Sequence, residues 1–413
     1  MSMRFFIAGA STLATLAFSI GAGAEGLTLI SGSGVFCTGV SANGSVVGGN
    51  DAVQYFYYTP STGPVAIGGI APGSQGAGGN CEVSHDGMKL SGGFIDPISS
   101  KAQASIYSLV DLEWHPCGSM GSSCDITATS AWSISGDGNR IVGLGYPVFC
   151  DARGCSWTSS GGYVNLGTTQ LQKPTRANDC DLDGNVIVGW QDLYTGFRQG
   201  AVWINGVQTL VKTSTNVPLG EASACSDDGS VVVGIGASGN NFEAWKWTAA
   251  TGAVSLGVSP DPGTRTYATD ISADGTRVVC FSRIGPPATS GEGYLWTQAD
   301  GFKSIELIAL EAGLTIPSDV RFALPLGISA DGYTIVGACR TGSGDAGFIL
   351  DLPRPAACSG DLDGDGSVGG VDLATLLSGW GGCTASCPAD TNGDGVVDGL
   401  DLATVLSAWG PCP

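Results

Sequence analysis

The chain has 413 residues, of which 67 are Gly, roughly twice the usual share. Charged residues make up 13% and carry a formal net charge of -20, which argues against a nucleic-acid or anionic-lipid surface, since both need clustered Lys and Arg. The Gly content argues against a helical protein, because each Gly costs about 1 kcal/mol in a helix. A hydrophobic share of 43% argues against disorder, so an all-β, turn-rich globular protein is predicted.

Residues 1–24 are predicted to be a secretion signal. Arg4 precedes an apolar stretch from Phe5 to Ile20, and Ala22-Gly23-Ala24 matches an A-x-A cleavage pattern. The alternative, an uncleaved membrane anchor, fits less well because the stretch is short for a span, and no later segment reaches about 18 apolar residues. We therefore expect a secreted or cell-surface chain that starts at Glu25, with no membrane insertion after signal removal.

The 14 cysteines are even in number, and an exported protein favours disulfides. Two pairs are close enough in sequence to staple single loops, Cys117 with Cys124 and Cys150 with Cys155. Cys180 and Cys225 occupy equivalent places in neighbouring repeats, which permits pairing without establishing it.

Seven internal repeats fill residues 25–352. Each contains a Ser-x-Asp-Gly or closely related turn, as in Ser226-Asp227-Asp228-Gly229. Asn-Gly and Asp-Gly supply the positive φ angles of tight hairpins. The period is about 47 residues, and the turn glycines are Gly44, Gly87, Gly138, Gly184, Gly229, Gly275 and Gly332.

Each repeat has the pattern of about four strands. After the turn come a β-branched run (230–234), an aromatic strand (244–248) and a short strand (253–257). Units of four strands at this period are typical of propeller blades. Seven copies predict a closed seven-bladed ring. The last copy lacks its final short strand, so we expect the orphan strand 27–30 to complete it and remove an exposed edge.

The strings Ser-Ala-Asp-Gly-Ser, Trp-x-Trp-Thr and Gly-x-Val-x-Leu-Gly resemble the extracellular HAF-repeat family of bacterial surface proteins. The resemblance covers most of residues 26–352, is clearest at 221–257 and is weakest at 94–125, where an insertion interrupts it. It implies a β-propeller-like repeat and no defined chemistry.

Residues 353–357 are a predicted linker, and residues 358–413 follow a different pattern. Two runs place oxygen-bearing residues at positions 1, 3, 5, 7, 9 and 12, the ligand positions of an EF-hand calcium loop. The first set is Asp361, Asp363, Asp365, Ser367 (carbonyl), a water at Gly369, and Asp372. The second set is Asp390, Asn392, Asp394, Val396 (carbonyl), Asp398 and Asp401. Two calcium ions are predicted.

A helix is predicted after each loop. Leu373, Leu376, Leu377 and Trp380 share one helical face, and Leu402, Val405, Leu406 and Trp409 repeat it 29 residues later. This paired loop–helix unit resembles the type I dockerin module in its cysteine-flanked, planctomycete-like form. The resemblance implies a small all-α domain, two calcium ions and a cohesin-like partner. In that family positions 10 and 11 of each loop help to select the partner, and here they are Gly370, Val371, Gly399 and Leu400.

The cysteines of this segment follow the same 29-residue step. In a pseudo-two-fold unit the start of one half lies beside the end of the other. We therefore expect Cys358–Cys412 and Cys383–Cys387 in preference to pairing within each half.

Candidates for catalysis are few. His85 and His115 are the only histidines, and neither lies in a triad or zinc motif. His85 is interpreted as a solvated turn residue and His115 as part of a structural loop. The repeated tryptophans are interpreted as core between blades, although a glycan-binding face around Trp114 and Tyr146 stays open.

The function predicted from these patterns is a secreted calcium-binding scaffold. The propeller would bind an extracellular protein or glycan, and the dockerin-like module would dock to a partner. A polysaccharide-degrading glycoside hydrolase component is one alternative, for which two carboxylates must face each other. The acidic candidates for that role are Glu82, Glu113, Glu221, Glu243 and Glu292. A structural cell-envelope protein is another alternative.

Overall fold

The computed structural model describes residues 19–20, 26–32, 34–70, 72, 79–236, 243–261, 264–354, 359–362, 367–383 and 387–412. Seven antiparallel sheets follow one another along the chain and surround a common axis. The predicted all-β seven-bladed propeller is confirmed.

Blades 1, 3 and 4 each contain four strands in sequential order. Blade 1 consists of Phe36–Val40, Val47–Asn50, Tyr55–Thr59 and Gly63–Gly68. Blade 3 consists of Thr129–Ile134, Arg140–Val148, Asp151–Thr158 and Gly162–Asn165. Blade 4 consists of Thr175–Cys180, Val186–Asp192, Arg198–Ile204 and Val207–Leu210.

Blades 5 and 6 have the same order, whereas blade 2 is reduced. Blade 5 consists of Ala222–Cys225, Val232–Gly234, Trp245–Thr248 and Gly252–Ser255. Blade 6 consists of Arg265–Ile271, Val278–Arg283, Glu292–Thr297 and Gly301–Ser304. Blade 2 consists of Lys89–Ile95, Ala102–Ser108 and Glu113–Pro116, and its innermost segment is a single bridge between Val83 and Leu90.

Blade 7 closes the ring with strands from both ends of the propeller. Its inner strands are Arg321–Ile328, Thr334–Thr341 and Gly344–Asp351, and Leu27–Ser31 pairs antiparallel with the last of these. Ile30 lies opposite Gly347 and is fully buried. The prediction that the orphan N-terminal strand completes the last blade is confirmed. Ser19–Ile20 pairs in turn with Ile30 and Ser31, and the rest of residues 1–25 lies outside the described part of the chain.

The inner strand of six blades shifts its register at one equivalent place. In blade 4 the shift falls between Ala177 and Asp179, and in blade 6 between Ala268 and Asp270. A bulge of this kind adds one residue to a strand and re-aims the side chains that follow it. The residues after each bulge are those that reach the propeller axis.

The hydrophobic core lies between successive blades. Val188 and Val202 of blade 4 pack with Trp245 and Trp247 of blade 5 in one buried cluster. The Trp203 indole N–H donates to the Leu166 carbonyl at 2.9 Å, and Trp296 repeats this contact with Leu256. These tryptophans are therefore inter-blade core, as interpreted from the sequence.

Three α-helices and a short 3-10 helix (Ala288–Ser290) complete the described structure. Helix α1 (Ile305–Glu311) lies between blades 6 and 7, and helices α2 (Gly370–Ser378) and α3 (Gly399–Ser407) lie in the C-terminal segment. That segment also has two short ladders, Ser367–Val368 with Gly410–Pro411 and Gly381–Gly382 with Val396–Val397. The expectation of an all-α unit is therefore too simple, because the two halves are also joined through strands.

Candidate functional site

The seven repeat turns meet at one end of the propeller axis, called here the turn face. The backbone carbonyl of each turn's second residue accepts an N–H from the preceding turn. Ala42 N–H donates to His85 O at 3.1 Å, and His85 N–H donates to Gly136 O at 2.9 Å. The bonds continue around the ring and return from Asp331 N–H to Ala42 O at 3.5 Å. The turn face is thus a closed ring of backbone contacts.

The aspartates of the turns bond within their own turns. In blade 5 Asp228 Oδ1 accepts the Ser226 hydroxyl at 2.7 Å and the Ser230 N–H at 2.9 Å. In blade 4 Asp181 stands where the other turns have Ser, and its carboxylate accepts the Val186 N–H at 3.0 Å. These acids stabilise hairpins, in agreement with the interpretation of the repeat motif as a turn.

A cavity of about 110 Å³ lies on the axis beneath the turn face and is called here the channel. Each blade contributes to it the residue that precedes its turn. These residues are Val40, Val83, Ile134, Cys180, Cys225, Ile271 and Ile328. Since all seven blades line this cavity, it occupies the centre of the ring.

Three of the five carboxyl groups that line the channel come from alternate blades. They stand at one equivalent position, two residues before the turn Ser or its replacement, in blades 2, 4 and 6. They are Glu82, Asp179 and Asp270. The same position in the other blades has Gly39, Ser133, Ala224 and Gly327. The channel is therefore acidic because every second blade, from blade 2 to blade 6, has an acidic residue at this position.

Two of these carboxyls join neighbouring blades through hydrogen bonds. Asp179 accepts the Ser133 hydroxyl from blade 3 at 2.8 Å and the Cys225 N–H from blade 5 at 3.0 Å. Asp270 accepts the N–H of Ile271 and that of Ile328 in blade 7, both at 2.8 Å. Their oxygens serve as inter-blade acceptors as well as channel lining.

The channel carboxyls hold their protons unusually tightly. Burial raises the pKa of Asp179 to about 6 despite its hydrogen bonds. Burial and the nearby charge of Asp179 raise the pKa of Asp270 to about 7. Burial, followed by the charges of Asp270 and Asp179, raises the pKa of Glu82 well above its ordinary value. The three groups thus interact electrostatically across the axis.

A contact between a histidine and an aspartate crosses the channel at the turn face. His85 of blade 2 and Asp227 of blade 5 approach to 3.4 Å between Nε2 and Oδ1, and each side chain is about one third exposed. Blades 2 and 5 are not neighbours, so the pair spans the ring. The interpretation of His85 as a solvated turn residue was incomplete, because only closure of the ring brings Asp227 to it. His115 pairs instead with Asp111 on the exposed surface at 3.0 Å.

The sequence did contain a signal for the channel acids. Aligned on their turns, the repeats place Glu82, Asp179 and Asp270 in one column, a comparison that the search for paired glutamates did not make. Of the five glutamates considered for catalysis, Glu82 alone enters the channel, and its acidic neighbours are aspartates.

The opposite face of the propeller carries cavities at blade junctions. One of about 560 Å³ lies between blades 4 and 5 and is mostly apolar, with Leu193, Phe197 and Leu219 in its wall. Beside it, the Arg176 guanidinium stacks 3.6 Å from the Trp132 ring and Arg198 stacks 4.1 Å from the Trp190 ring. Trp114, a candidate for glycan contact, is instead packed on Tyr55 and Tyr107.

A second cavity of about 560 Å³ lies at the junction of blades 6 and 7 and contains two carboxyls in different surroundings. Asp261 accepts the Ser282 hydroxyl at 2.6 Å and the Tyr294 hydroxyl at 2.7 Å. Burial and the charges of Glu306 and Asp261 raise the pKa of Glu292 to about 7. Arg283 and Arg340 complete the charged lining.

The second predicted calcium loop is wound around its own acidic side chains. Asp390 accepts the N–H groups of Gly393 and Gly395, both at 2.8 Å. Asp401 at position 12 is fully buried, and its two oxygens accept Thr391 N–H and Asp398 N–H, both at 2.8 Å. Position 12 therefore ties the start of the loop to the start of helix α3.

The first loop repeats this contact. Asp372 is 1% exposed and accepts the N–H groups of Leu362 and Gly369, both at 2.6 Å. Asp363 and Asp365 lie outside the described residues. Within the described part of the chain, no three His, Cys, Asp or Glu side chains converge in a metal-binding arrangement.

The four positions that the dockerin resemblance predicts to select a partner lie at the first turns of the two C-terminal helices. Gly370 and Gly399 are the first residues of α2 and α3, and Val371 and Leu400 follow them. Their side chains are 61% and 64% exposed, and both helices also expose a Trp just beyond their ends. On the helical face that the two helices share, Leu376 and Val405 are fully buried, and Leu373 and Leu402 pack partly against the same core. The other four residues of that face are exposed: Leu377, Trp380, Leu406 and Trp409.

The cysteines correct two predictions and confirm a third. Cys124 pairs with Cys150, so the two loop staples Cys117/Cys124 and Cys150/Cys155 are wrong. The segment after blade 2 crosses to a hairpin of blade 3, which directs Cys117 into the core between the blades. Cys383–Cys387 forms as expected. Cys412 is disulfide-bonded, and Cys358 lies outside the described residues.

Comparison with known proteins defines the class of fold. The chain is similar to an oligogalacturonate lyase from Vibrio parahaemolyticus, with 12% identity, a TM-score of 0.52 and coverage of 82% of this chain and 98% of that one. An oligogalacturonate lyase in complex with manganese gives 13% identity, a TM-score of 0.52 and coverage of 82% and 97%. At these identities the likeness shows a propeller fold alone.

TolB from Acinetobacter baumannii is a further structural neighbour, with 13% identity, a TM-score of 0.42 and coverage of 68% of this chain and 64% of that one. No family model matches the sequence. No curated protein matches it either. No helix among the residues with described positions is long and apolar enough to cross a membrane.

Proposed function

We propose that the chain is a secreted or cell-surface calcium-binding scaffold. Its propeller is a platform for an extracellular protein or glycan, and residues 358–413 form a dockerin-like module that docks to a cohesin-like partner when calcium is bound. Disulfides at Cys124–Cys150 and Cys383–Cys387 support an oxidising compartment.

The observation that carries the calcium proposal is the burial of Asp372 and Asp401. Each buried carboxylate stands at position 12 of its loop and bonds back to the loop's beginning. In the second loop, which ends at Asp401, the side chains of Asp390, Asn392 and Asp394 also accept hydrogen bonds from backbone N–H groups. This winding suits a hard cation with oxygen ligands.

Calcium would be held by two sets of residues, each with one backbone carbonyl. The first is Asp361, Asp363, Asp365, Ser367, a water at Gly369, and Asp372; the second is Asp390, Asn392, Asp394, Val396, Asp398 and Asp401. Residues 358–413 contain eight Asp and no Lys or Arg, so two divalent ions offset about half of this charge. Calcium bound in this way supplies folding free energy.

Titration calorimetry on the mature chain is expected to count two calcium ions. Asp394→Asn removes a charged ligand without changing the shape of the side chain, so the affinity of one site should fall by about tenfold or more, while the other is retained. Asp183→Asn is the matched control. Asp183 also belongs to an alternating acidic sequence, Asp181-Leu182-Asp183, but its side chain bonds to Asn185 within a propeller turn. Calcium should also raise the melting temperature of the module.

Two results contradict this proposal. Calorimetry could detect no calcium binding, or Asp183→Asn could lower the stoichiometry while Asp394→Asn leaves it unchanged. Either result would mean that residues 358–413 do not bind calcium as proposed.

A glycoside hydrolase component is the second candidate, favoured by the cavity between blades 6 and 7. Its two carboxyls have different surroundings, since Asp261 accepts two hydroxyl groups whereas Glu292 has a raised pKa of about 7. Glycoside hydrolysis requires one carboxyl group that keeps its proton and acts as an acid, and a second that is ionised and acts as a base or nucleophile.

A glycan array combined with a reducing-sugar assay separates the candidates. Release of sugar that is lost in Glu292→Gln supports the hydrolase. Binding without release supports the scaffold, and neither binding nor release supports the structural envelope role.

A further inference from the structure

Arginine occupies one equivalent position of the repeats only in blades 6 and 7. Counted from the turn glycines Gly275 and Gly332, the eighth residue is Arg283 in blade 6 and Arg340 in blade 7. The other five repeats have Ala, Ile, Tyr, Asp and Ala there. Both arginines line the cavity of about 560 Å³ between these two blades. The repeat thus brings two guanidinium groups to one space.

These two guanidinium groups are not neutralised by neighbouring acids. Within the described part of the chain neither forms an ion pair with a carboxylate, whereas Arg321 at the same junction pairs with Glu306 at 3.5 Å. Arg283 donates to Ala288 O at 3.5 Å, and Arg340 donates to Gly291 O at 3.4 Å. Since a guanidinium has five N–H donors, most of them are left for a ligand.

The blade 6 side of the cavity is held in place. The Arg283 guanidinium lies 5.1 Å from the centre of the Phe281 ring, which stacks on Tyr267 at 4.7 Å. The loop that follows is tied to blade 7, because the buried Thr289 hydroxyl donates to the Asp345 carboxylate at 3.0 Å. A site that is already formed loses less entropy when it binds a ligand.

The opposite wall offers acceptors for hydroxyl groups. Asp261 accepts the Ser282 and Tyr294 hydroxyls, and both bonds end on Oδ2. Its Oδ1 can therefore accept from a ligand. The hydroxyls of Thr264 and Ser290 also line the cavity, and each keeps lone pairs as an acceptor. A ligand with several hydroxyl groups fits this wall.

The remaining carboxyl reduces the positive charge of the cavity only in part. Burial, followed by the charges of Glu306 and Asp261, raises the pKa of Glu292 to about 7 against the opposite effect of Arg321 and Arg340. Below pH 7 Glu292 is mostly protonated, so two guanidinium groups face the single negative charge of Asp261. This balance suits a ligand with one negative charge.

We propose that the cavity binds a carboxylate-bearing sugar residue of an extracellular polysaccharide: Arg283 and Arg340 hold the carboxylate, and Asp261 accepts sugar hydroxyls. The planar fork of a guanidinium matches a carboxylate in geometry and charge. This inference rests on the proposed role of the propeller as a glycan platform and adds the class of sugar. An acidic peptide also carries carboxylates, but glutamate side chains have no hydroxyl groups for Asp261.

Titration calorimetry of the mature chain with two trisaccharides tests the inference. A glucuronic acid trisaccharide and a glucose trisaccharide of the same linkage differ only in the carboxylate at C6. At pH 6.5 the acidic trisaccharide should bind at least about tenfold more tightly, the factor that hydrogen bonds to a charged group supply.

Variants assign the binding to the cavity. Arg283→Gln and Arg340→Gln should each weaken binding of the acidic trisaccharide by about tenfold and leave the affinity for the glucose trisaccharide unchanged. Arg198→Gln is the matched control, because Arg198 lines the cavity between blades 4 and 5 and is paired with Glu221 at 2.6 Å. It should bind the acidic trisaccharide as the wild type does. Melting temperatures establish that each variant is folded.

Several results would refute the inference, and they differ in what they mean for the platform. Equal affinity for the two trisaccharides, or weaker binding in Arg198→Gln but not in Arg340→Gln, refutes the acidic-sugar site and leaves the glycan platform standing. A hexaglutamate peptide that competes as tightly as the acidic trisaccharide refutes a site selective for sugars. If neither trisaccharide binds, the inference fails, and the glycan platform fails with it only when the glycan array is also negative.

Discussion

Each turn glycine is needed for two reasons: its backbone has a positive φ angle, and a residue of the neighbouring blade packs against it. All seven have φ between 65° and 77°, which favours residues without a Cβ. In addition, the residue two places after each glycine lies against the turn glycine of the next blade, as Val186 does against Gly229 and Thr334 against Gly44. The turn motif is thus also the contact through which successive blades are spaced.

Gly229→Ala should destabilise the propeller more than the φ angle alone predicts. A Cβ at Gly229 would lie 2.4 Å from Val186 Cγ2, whereas Gly206 has a similar φ of 79° and nothing within 4 Å. We expect Gly206→Ala to cost about 1 kcal/mol and Gly229→Ala about 2–4 kcal/mol in the free energy of unfolding. Denaturant melts measure both.

The double variant Gly229→Ala with Val186→Ala provides the control for this difference. The double variant should cost less than the sum of the two single variants, because Val186→Ala removes the Cγ2 overlap and leaves only Cβ, 2.6 Å from the added methyl group. Equal costs for the two glycine variants would show that the inter-blade contact contributes nothing.

At the scale of the element, the N-terminal strand joins the two ends of the propeller sequence. Leu27–Ser31 pairs with Gly344–Asp351 and contributes Leu27, Leu29 and Ile30 to the core. Arg354, just after blade 7, strengthens the same junction through Asp331, Asp351 and the Asn43 carbonyl. Closure of the ring thus depends on both ends of the propeller sequence.

A chain that begins at residue 32 should be much less stable than one that begins at Glu25. Loss of three buried apolar side chains removes roughly 5 kcal/mol or more of stabilisation and exposes the edge of Gly344–Asp351. Calorimetry should show a melting temperature lower by at least about 10 °C, together with aggregation. The chain from Glu25 is the control, and equal melting temperatures for the two would contradict the closure.

At the scale of the whole molecule, the acidic channel couples folding to pH. Asp179, Asp270 and Glu82 have raised pKa values in the folded state, so the fold binds their protons more tightly than the unfolded chain does. Their stabilisation is fully present below about pH 4, the range of unfolded carboxyls, and is lost as pH rises through about 6 to 7.

Asp179→Asn should reduce the loss of folding stability that accompanies a rise in pH. The amide can keep both contacts, because the Ser133 hydroxyl can accept a bond as well as donate one. We expect the melting temperature at pH 8 to rise by about 2–4 °C and the slope between pH 4 and 7 to flatten. Asp270→Asn is the matched comparison and should gain less, since both its oxygens accept backbone N–H groups. An unchanged slope in Asp179→Asn would contradict this coupling.

Much of the fold could be predicted because its signals are local and repeated. The Asp-Gly turns, the β-branched runs and the aromatic strands each specify a short piece of structure, and seven copies specify the number of blades. Blade 2 departs from the pattern, since Val83 makes a single bridge in place of an inner strand. The helices after the acidic loops were predicted from spacing, and they begin at Gly370 and Gly399.

The sites were less predictable because they depend on contacts between distant parts of the chain. Glu82, Asp179 and Asp270 are separated by about 90 to 100 residues and converge only when the ring closes. Cys124 pairs with Cys150 because the segment between blades 2 and 3 folds back on a hairpin of blade 3. Distance along the sequence had favoured other partners.

The sequence by itself determined the repeat, its turns, the number of blades and the strand that closes them. These follow from backbone conformation and side-chain alternation, which act over a few residues. Only the tertiary structure decided which side chains share the axis, that His85 faces Asp227, and which cysteines pair. The physical reason is that a ring brings equivalent positions of all its repeats to one centre, so charges that are remote in sequence interact at short range.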